Sequence, residues 1–144
     1  MSEKDWKIED ELPAGPELDV LAAELVMGWT YDGYCRSGPV YRDFMGWTHE
    51  LRAVGGKYEE CMWAPSIKIT DAWMLVERLT YTTNPLIWFR FTSNYAGCTC
   101  SFIVNPTEDS KEYRIDFGGD TAPHVITMAA VRMARWNKQR EQAR

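Results

Sequence analysis

Histidine and cysteine are scarce in this chain, and their spacing excludes most metal chemistry. There are two histidines, His49 and His124, far apart in sequence, and four cysteines, Cys35, Cys61, Cys98 and Cys100. Cys98 and Cys100 point to one side of a strand, but a structural zinc site needs a second ligand pair at similar spacing. Cys35 and Cys61 stand alone, so the strand cysteines read as small core residues. Basic excess is also lacking. The net charge is −5 and the pI about 5.1, without the positive footprint that nonspecific nucleic-acid binding requires. No apolar run approaches membrane-spanning length. The opening "MSEKDWKIEDELPAG" is acidic and lacks the apolar stretch of a secretory signal. The expected setting is therefore cytosolic, with the thiols reduced and no disulfides. No nucleophile elbow, Walker loop, HExxH or paired Cys/His signature occurs, so neither a catalytic residue nor a cofactor is expected.

What is present is tryptophan, seven copies in 144 residues, with apolar and charged fractions typical of a globular protein. The length suits one domain with a real core. The surplus of indoles hints at a contact surface. Acidic residues crowd residues 1–15, read as a tail. Residues 16–140 form the expected single domain and 141–144 a basic tail end, while Arg132, Arg135, Lys138, Arg140 and Arg144 concentrate positive charge toward the C-terminus.

"GPELDVLAAELVMG" predicts a first helix, with Pro16 in its first turn, Leu18, Leu21, Ala22 and Leu25 at helical spacing, and Gly28 as its stop. From Thr30 to Pro65 there is no clean period, which fits a functional surface loop or short irregular strands. "APSIKITDAWMLVERLTY" predicts a second helix capped by Ser66 or Thr70, with Ile69, Trp73, Val76 and Leu79 (or Thr80) along its buried face. After the Asn84-Pro85 break, "LIWFRFTS" alternates Ile87, Phe89 and Phe91 against Trp88, Arg90 and Thr92. "CTCSFIVN" sets Cys98, Cys100, Phe102 and Val104 on one face, so a hairpin about "SNYAG" follows. "KEYRIDF" adds a third strand after a turn at residues 106–110. The last helix starts near Asp120 or Thr121, with Pro123 in its first turn and a buried stripe of Ala122, Val125, Ile126, Ala129, Met133 and Trp136. The expected product is a single α+β domain, an antiparallel β-sheet layered with α-helices.

Two segments invite a functional reading. "GGDTAP" places glycines before a helix N-terminus, an arrangement that can hold a phosphate and is also the usual strand-to-helix turn. Trp29 follows the glycine that ends the first helix. It is either a lid on the core or a platform for a ligand. A second Met-Gly-Trp follows at Met45–Trp47.

Three segments in order, "LDVLAAELVMGW", "PSIKITDAWMLVERL" and "GGDTAPHVITMAAVRMA", resemble the phage ABA sandwich domain family, from about Leu18 to Ala134. The family includes, by this resemblance, the Thoeris anti-defence sponges of bacteriophages, which bind cyclic ADP-ribose-type immune signals without cleaving them and form dimers and hexamers. The resemblance implies a non-enzymatic binding protein in the cytoplasm of an infected bacterium. Its partner is then a small cyclic nucleotide rather than a nucleic-acid polymer or a membrane, and it is a homodimer or hexamer. Candidate ligand residues are Trp29 for stacking, Arg90 and Arg132 for the diphosphate, Tyr95 in the hairpin turn, and Thr121 at the helix start. The sequence departs from the family at Met128, where an arginine is expected, with Arg132 one turn later along the same face. The rival readings are a phosphodiesterase-like enzyme that degrades such signals, and a structural or regulatory phage protein without a nucleotide pocket.

Overall fold

The computed structural model describes residues 11–81, 86–104 and 113–142. The Asn84-Pro85 break and the turn expected at residues 106–110 lie outside them. The first helix runs as α1, Pro16–Leu21, and continues into a π-helical turn, Ala22–Val26. One extra residue per turn widens the helix there, and it ends at Gly28, whose φ of 69° is the left-handed conformation expected of that position. The Trp29 N–H then closes on the Ala23 carbonyl at 3.0 Å.

The residues from Thr30 onward form a small antiparallel meander: β1 (Thr30–Tyr34), β2 (Pro39–Arg42) and β3 (Thr48–Glu50), with a bulge in β1 between Tyr31 and Gly33. Of the two readings open for this stretch, short irregular strands is the one observed. A second meander contains β4 (Ile87–Asn94), β5 (Gly97–Val104) and β6 (Tyr113–Gly119). Here the alternation read from the sequence holds. Ile87, Cys100, Phe102, Val104, Ile115 and Phe117 turn inward, whereas Trp88 and Arg90 face out. There are thus two three-stranded sheets rather than one.

α2 spans Ile69–Tyr81, starting three residues after Ser66. Ser66 is not its cap: the hydroxyl accepts from the Gly15 N–H at 2.9 Å and ties the start of α1 to this loop. The buried face of α2 is Ala72, Leu75, Val76 and Leu79, so the expected contributions of Ile69 and Trp73 are corrected. A single face at 3.6 residues per turn holds positions 72, 75, 76 and 79. Trp73 falls about 100° away and instead lays its ring edge-on against Phe89, 5.5 Å between centroids.

α3, Ala122–Gln142, carries more than a stripe. Every residue from Val125 to Val131 is buried, because α3 packs against β5 and β6 on one side and against α1, its π turn and α2 on others. A helix apolar all round is one surrounded on all sides. Leu12 and Gly15 join the body, the Leu12 carbonyl meeting His124 Nε2 at 2.7 Å, so the domain begins earlier than residue 16. α3 in turn carries the domain through residues 141 and 142.

Candidate functional site

The two Met-Gly-Trp copies share a backbone device and have opposite fates. Gly28 and Gly46 both have positive φ, 69° and 89°. Trp29, after the first, is 6% exposed, stacked on His49 with centroids 4.1 Å apart and leaning on Trp63 at 4.6 Å. Trp47, after the second, is 70% exposed. The first glycine ends a helix whose last turn is core, so the next residue is drawn onto that core. The second sits in the β2–β3 turn, which projects from the small sheet. The structure therefore gives Trp29 to packing, and a ring so buried offers no face to a base.

The β2–β3 turn is defined by Asp43. Its Oδ1 accepts from the backbone N–H groups of Met45 at 2.9 Å and Trp47 at 3.0 Å, and Oδ2 meets His49 Nε2 at 2.9 Å. The hydrogen bond with His49, joined by those from the two N–H groups, holds the Asp43 carboxyl below the usual carboxylate range, desolvation opposing them only in part. Around it Phe44, Met45 and Trp47 are all exposed. The Arg78 guanidinium of α2 lies 4.9 Å from the Phe44 ring centroid, a cation–π contact. Arg42 donates to the Gly46 carbonyl at 2.8 Å and to Asp32 at 2.9 Å. Aromatic faces and guanidinium groups thus meet at one tip.

Beside this tip a cleft of about 510 Å³ opens between β3 and the start of α2, with His49, Glu50, Met62, Trp63, Asp71 and Met74 among its walls. Its far wall is braced. Lys68 Nζ donates to the carbonyls of Glu60 and Met62 at 2.7 and 3.0 Å and pairs with Asp71 at 3.5 Å. Asp71 accepts from the Ala64 N–H at 2.9 Å, and Trp63 Nε1 donates to Met74 Sδ at 3.3 Å. Asp71, Met74 and Arg78 fall on one side of α2, so the cleft and the tip adjoin along the same helix face.

The remaining candidates are dispersed. Arg90 is exposed on the outer face of the second sheet, in register with Ser101 and Asp116. There Asp116 is held below its usual range by the Ser101 hydroxyl first and by Arg114, with Arg90 adding to it. Arg132 lies under the opposite face, its guanidinium 4.8 Å from the ring centroid of inward-facing Phe117. Strand alternation separates Arg90 from Arg132, so one molecule does not bring both to one ligand. Tyr95 is fully exposed in the β4–β5 turn. Thr121, whose carbonyl accepts the Val125 N–H at 3.1 Å, sits beyond Gly119, which pairs with Cys98 at that same end of the sheet. Met128 is 1% exposed, in the core, where an arginine has no room without partners.

His124 Nε2 lies 2.7 Å from the Leu12 carbonyl and its ring packs edge-on against Phe117, tying the start of the described chain to α3. Among the described residues no three His, Cys, Asp or Glu side chains gather as a metal site, and no helix is long and apolar enough to cross a membrane. All four cysteines are free thiols; burial pushes Cys100 up to about 12, an inert core thiol.

Sequence reasoning missed Phe44, Trp47, Arg78 and Asp43. The signal was present in "RDFMGW", an Asp three residues before a Gly, which marks a turn. No curated relative matches the chain. The phage ABA sandwich domain model matches residues 20–131, most of this chain. The chain belongs to the phage ABA sandwich domain family.

Proposed function

We propose that the protein binds a cyclic nucleotide immune signal of the cyclic ADP-ribose type and sequesters it without cleavage, as an anti-defence protein acting in the cytoplasm of the infected bacterium. The observation that carries this reading is the β2–β3 tip, where the exposed rings of Phe44 and Trp47 stand with Arg78 and Arg42 beside an open cleft. Such a ligand needs aromatic faces for its base and guanidinium groups for its diphosphate, because the protein's net charge of −5 repels it at long range. Membership of a phage family is consistent with a role against host immunity.

Incubation with cyclic ADP-ribose, removal of free ligand and heating of the protein tests this. Intact ligand recovered in proportion to protein is the expected result. An altered product would replace sequestration with the phosphodiesterase reading. Failure to deplete the ligand would leave a structural or regulatory protein. Assembly as a homodimer or hexamer is part of the same proposal, checked by light scattering at micromolar concentration with and without ligand.

A further inference from the structure

We propose that Asp43 is a positioning residue, holding the exposed Phe44–Trp47 tip in the shape the ligand meets; this rests on the reading that the tip is the contact. The tip has little packing of its own, since Phe44, Met45 and Trp47 all face solvent. Beside the Arg42–Gly46 and Arg78–Phe44 contacts, its order comes from hydrogen bonds that converge on Asp43. Oδ1 gathers the Met45 and Trp47 N–H groups, while the Asp43 N–H donates to the Trp47 carbonyl at 2.9 Å and the Gly46 N–H to the Asp43 carbonyl at 3.1 Å. Oδ2 takes His49 Nε2, so that nitrogen carries the proton.

His49 is itself immobilised, flat on the buried ring of Trp29. A chain of contacts therefore runs from a core indole through His49 and Asp43 to the backbone of exposed Trp47. Without the carboxylate the two N–H groups would turn to water and the tip would sample many shapes. A ligand would then have to order it at the moment of binding, which weakens affinity.

The test compares Asp43→Ala, Asp43→Asn and Trp47→Ala. Amide hydrogen exchange at Met45 and Trp47 is followed without ligand, and calorimetric titration uses cyclic ADP-ribose as the probe. Asp43→Ala is expected to speed exchange at both amides by tenfold or more and to weaken binding at least tenfold. Asp43→Asn keeps an oxygen facing the turn and can donate to His49 in its other tautomer, so both readouts should return close to wild type. Asp43→Ala combined with Trp47→Ala should weaken binding little more than Trp47→Ala alone. Unchanged exchange in Asp43→Ala, absence of rescue by Asn, or faster exchange with unaltered affinity would each overturn the proposal. If the wild type does not bind the probe, or Trp47→Ala is silent, the ligand reading fails and the binding role of Asp43 fails with it. The exchange data then still decide whether the carboxylate holds the turn.

Discussion

Trp29 lies flat against His49, ring centroids 4.1 Å apart and planes 8° from parallel, and this contact joins the end of the first helix to the third strand of the small sheet. The buried indole therefore anchors one sheet to the core, and the exposed indole of Trp47 does not.

Substitution should separate the two. Trp29→Ala is expected to lower stability by about 3–5 kcal/mol, the range for emptying an aromatic core site. Trp47→Ala should change stability by no more than about 0.5 kcal/mol while weakening probe binding by about 1–3 kcal/mol if a base stacks on it. Urea unfolding and titration of the two variants in parallel check this; equal stability losses would show that exposure does not divide their roles.

Asp19 is fully buried beside Ser66, whose N–H donates to Oδ1 at 2.9 Å, while Oδ2 is buried with no hydrogen-bond partner among the described residues. Burial raises its pKa from 3.8 to about 6, against the lowering effects of Ser66 and Arg52. The folded protein thus holds this proton more tightly than the unfolded chain. The corresponding stabilisation is full below pH 4 and is lost as pH rises through about 6, a change of about 3 kcal/mol. Asp19→Asn should flatten the stability profile between pH 4 and 7, measured by thermal melts across that window. An unaltered slope would assign it to other groups.

Gly38 carries φ of 154°, and a Cβ there would lie 2.2 Å from the Leu51 carbonyl oxygen and 2.5 Å from the Ala53 nitrogen. The Leu51 N–H pairs with the Pro39 carbonyl and the Ala53 N–H with that of Ser37, so the clash falls on hydrogen-bonded backbone that cannot yield cheaply. Gly38→Ala should destabilise by about 3 kcal/mol or more. Denaturant titration gives the number, and a loss below 1 kcal/mol would mean that the segment relaxes.

Thr127 is fully buried on α3, and its hydroxyl has no hydrogen-bond partner among the described residues. Valine keeps the shape and removes the desolvated hydroxyl. Thr127→Val is expected to raise stability by about 1 kcal/mol; a drop of similar size in calorimetry would point to a bond the hydroxyl makes through water.

Much of the fold was legible because the relevant patterns are local. The strict alternation of Ile87, Phe89 and Phe91 determined which side of β4 turns inward, and its pairing with Cys98, Cys100, Phe102 and Val104 followed from a period of two. Gly28 marked a helix end because only its backbone enters the left-handed region without cost. The candidate site was less legible: its residues lie on a turn without period, and Arg78 reaches Phe44 from thirty-four positions away.

Local chemistry alone was enough for the backbone conformation at Gly28, the inward faces of β4 and β5, and the presence of three helices. Tertiary structure alone decided which elements lie over which. It buried α3 from Val125 to Val131 on all sides rather than along one stripe, because neighbours on several faces removed its water. It also set Trp73 edge-on against Phe89 of β4. It made Trp29 core and left Trp47 exposed although both follow Met-Gly, because a tripeptide sets its own dihedral angles while burial depends on what distant segments place above it.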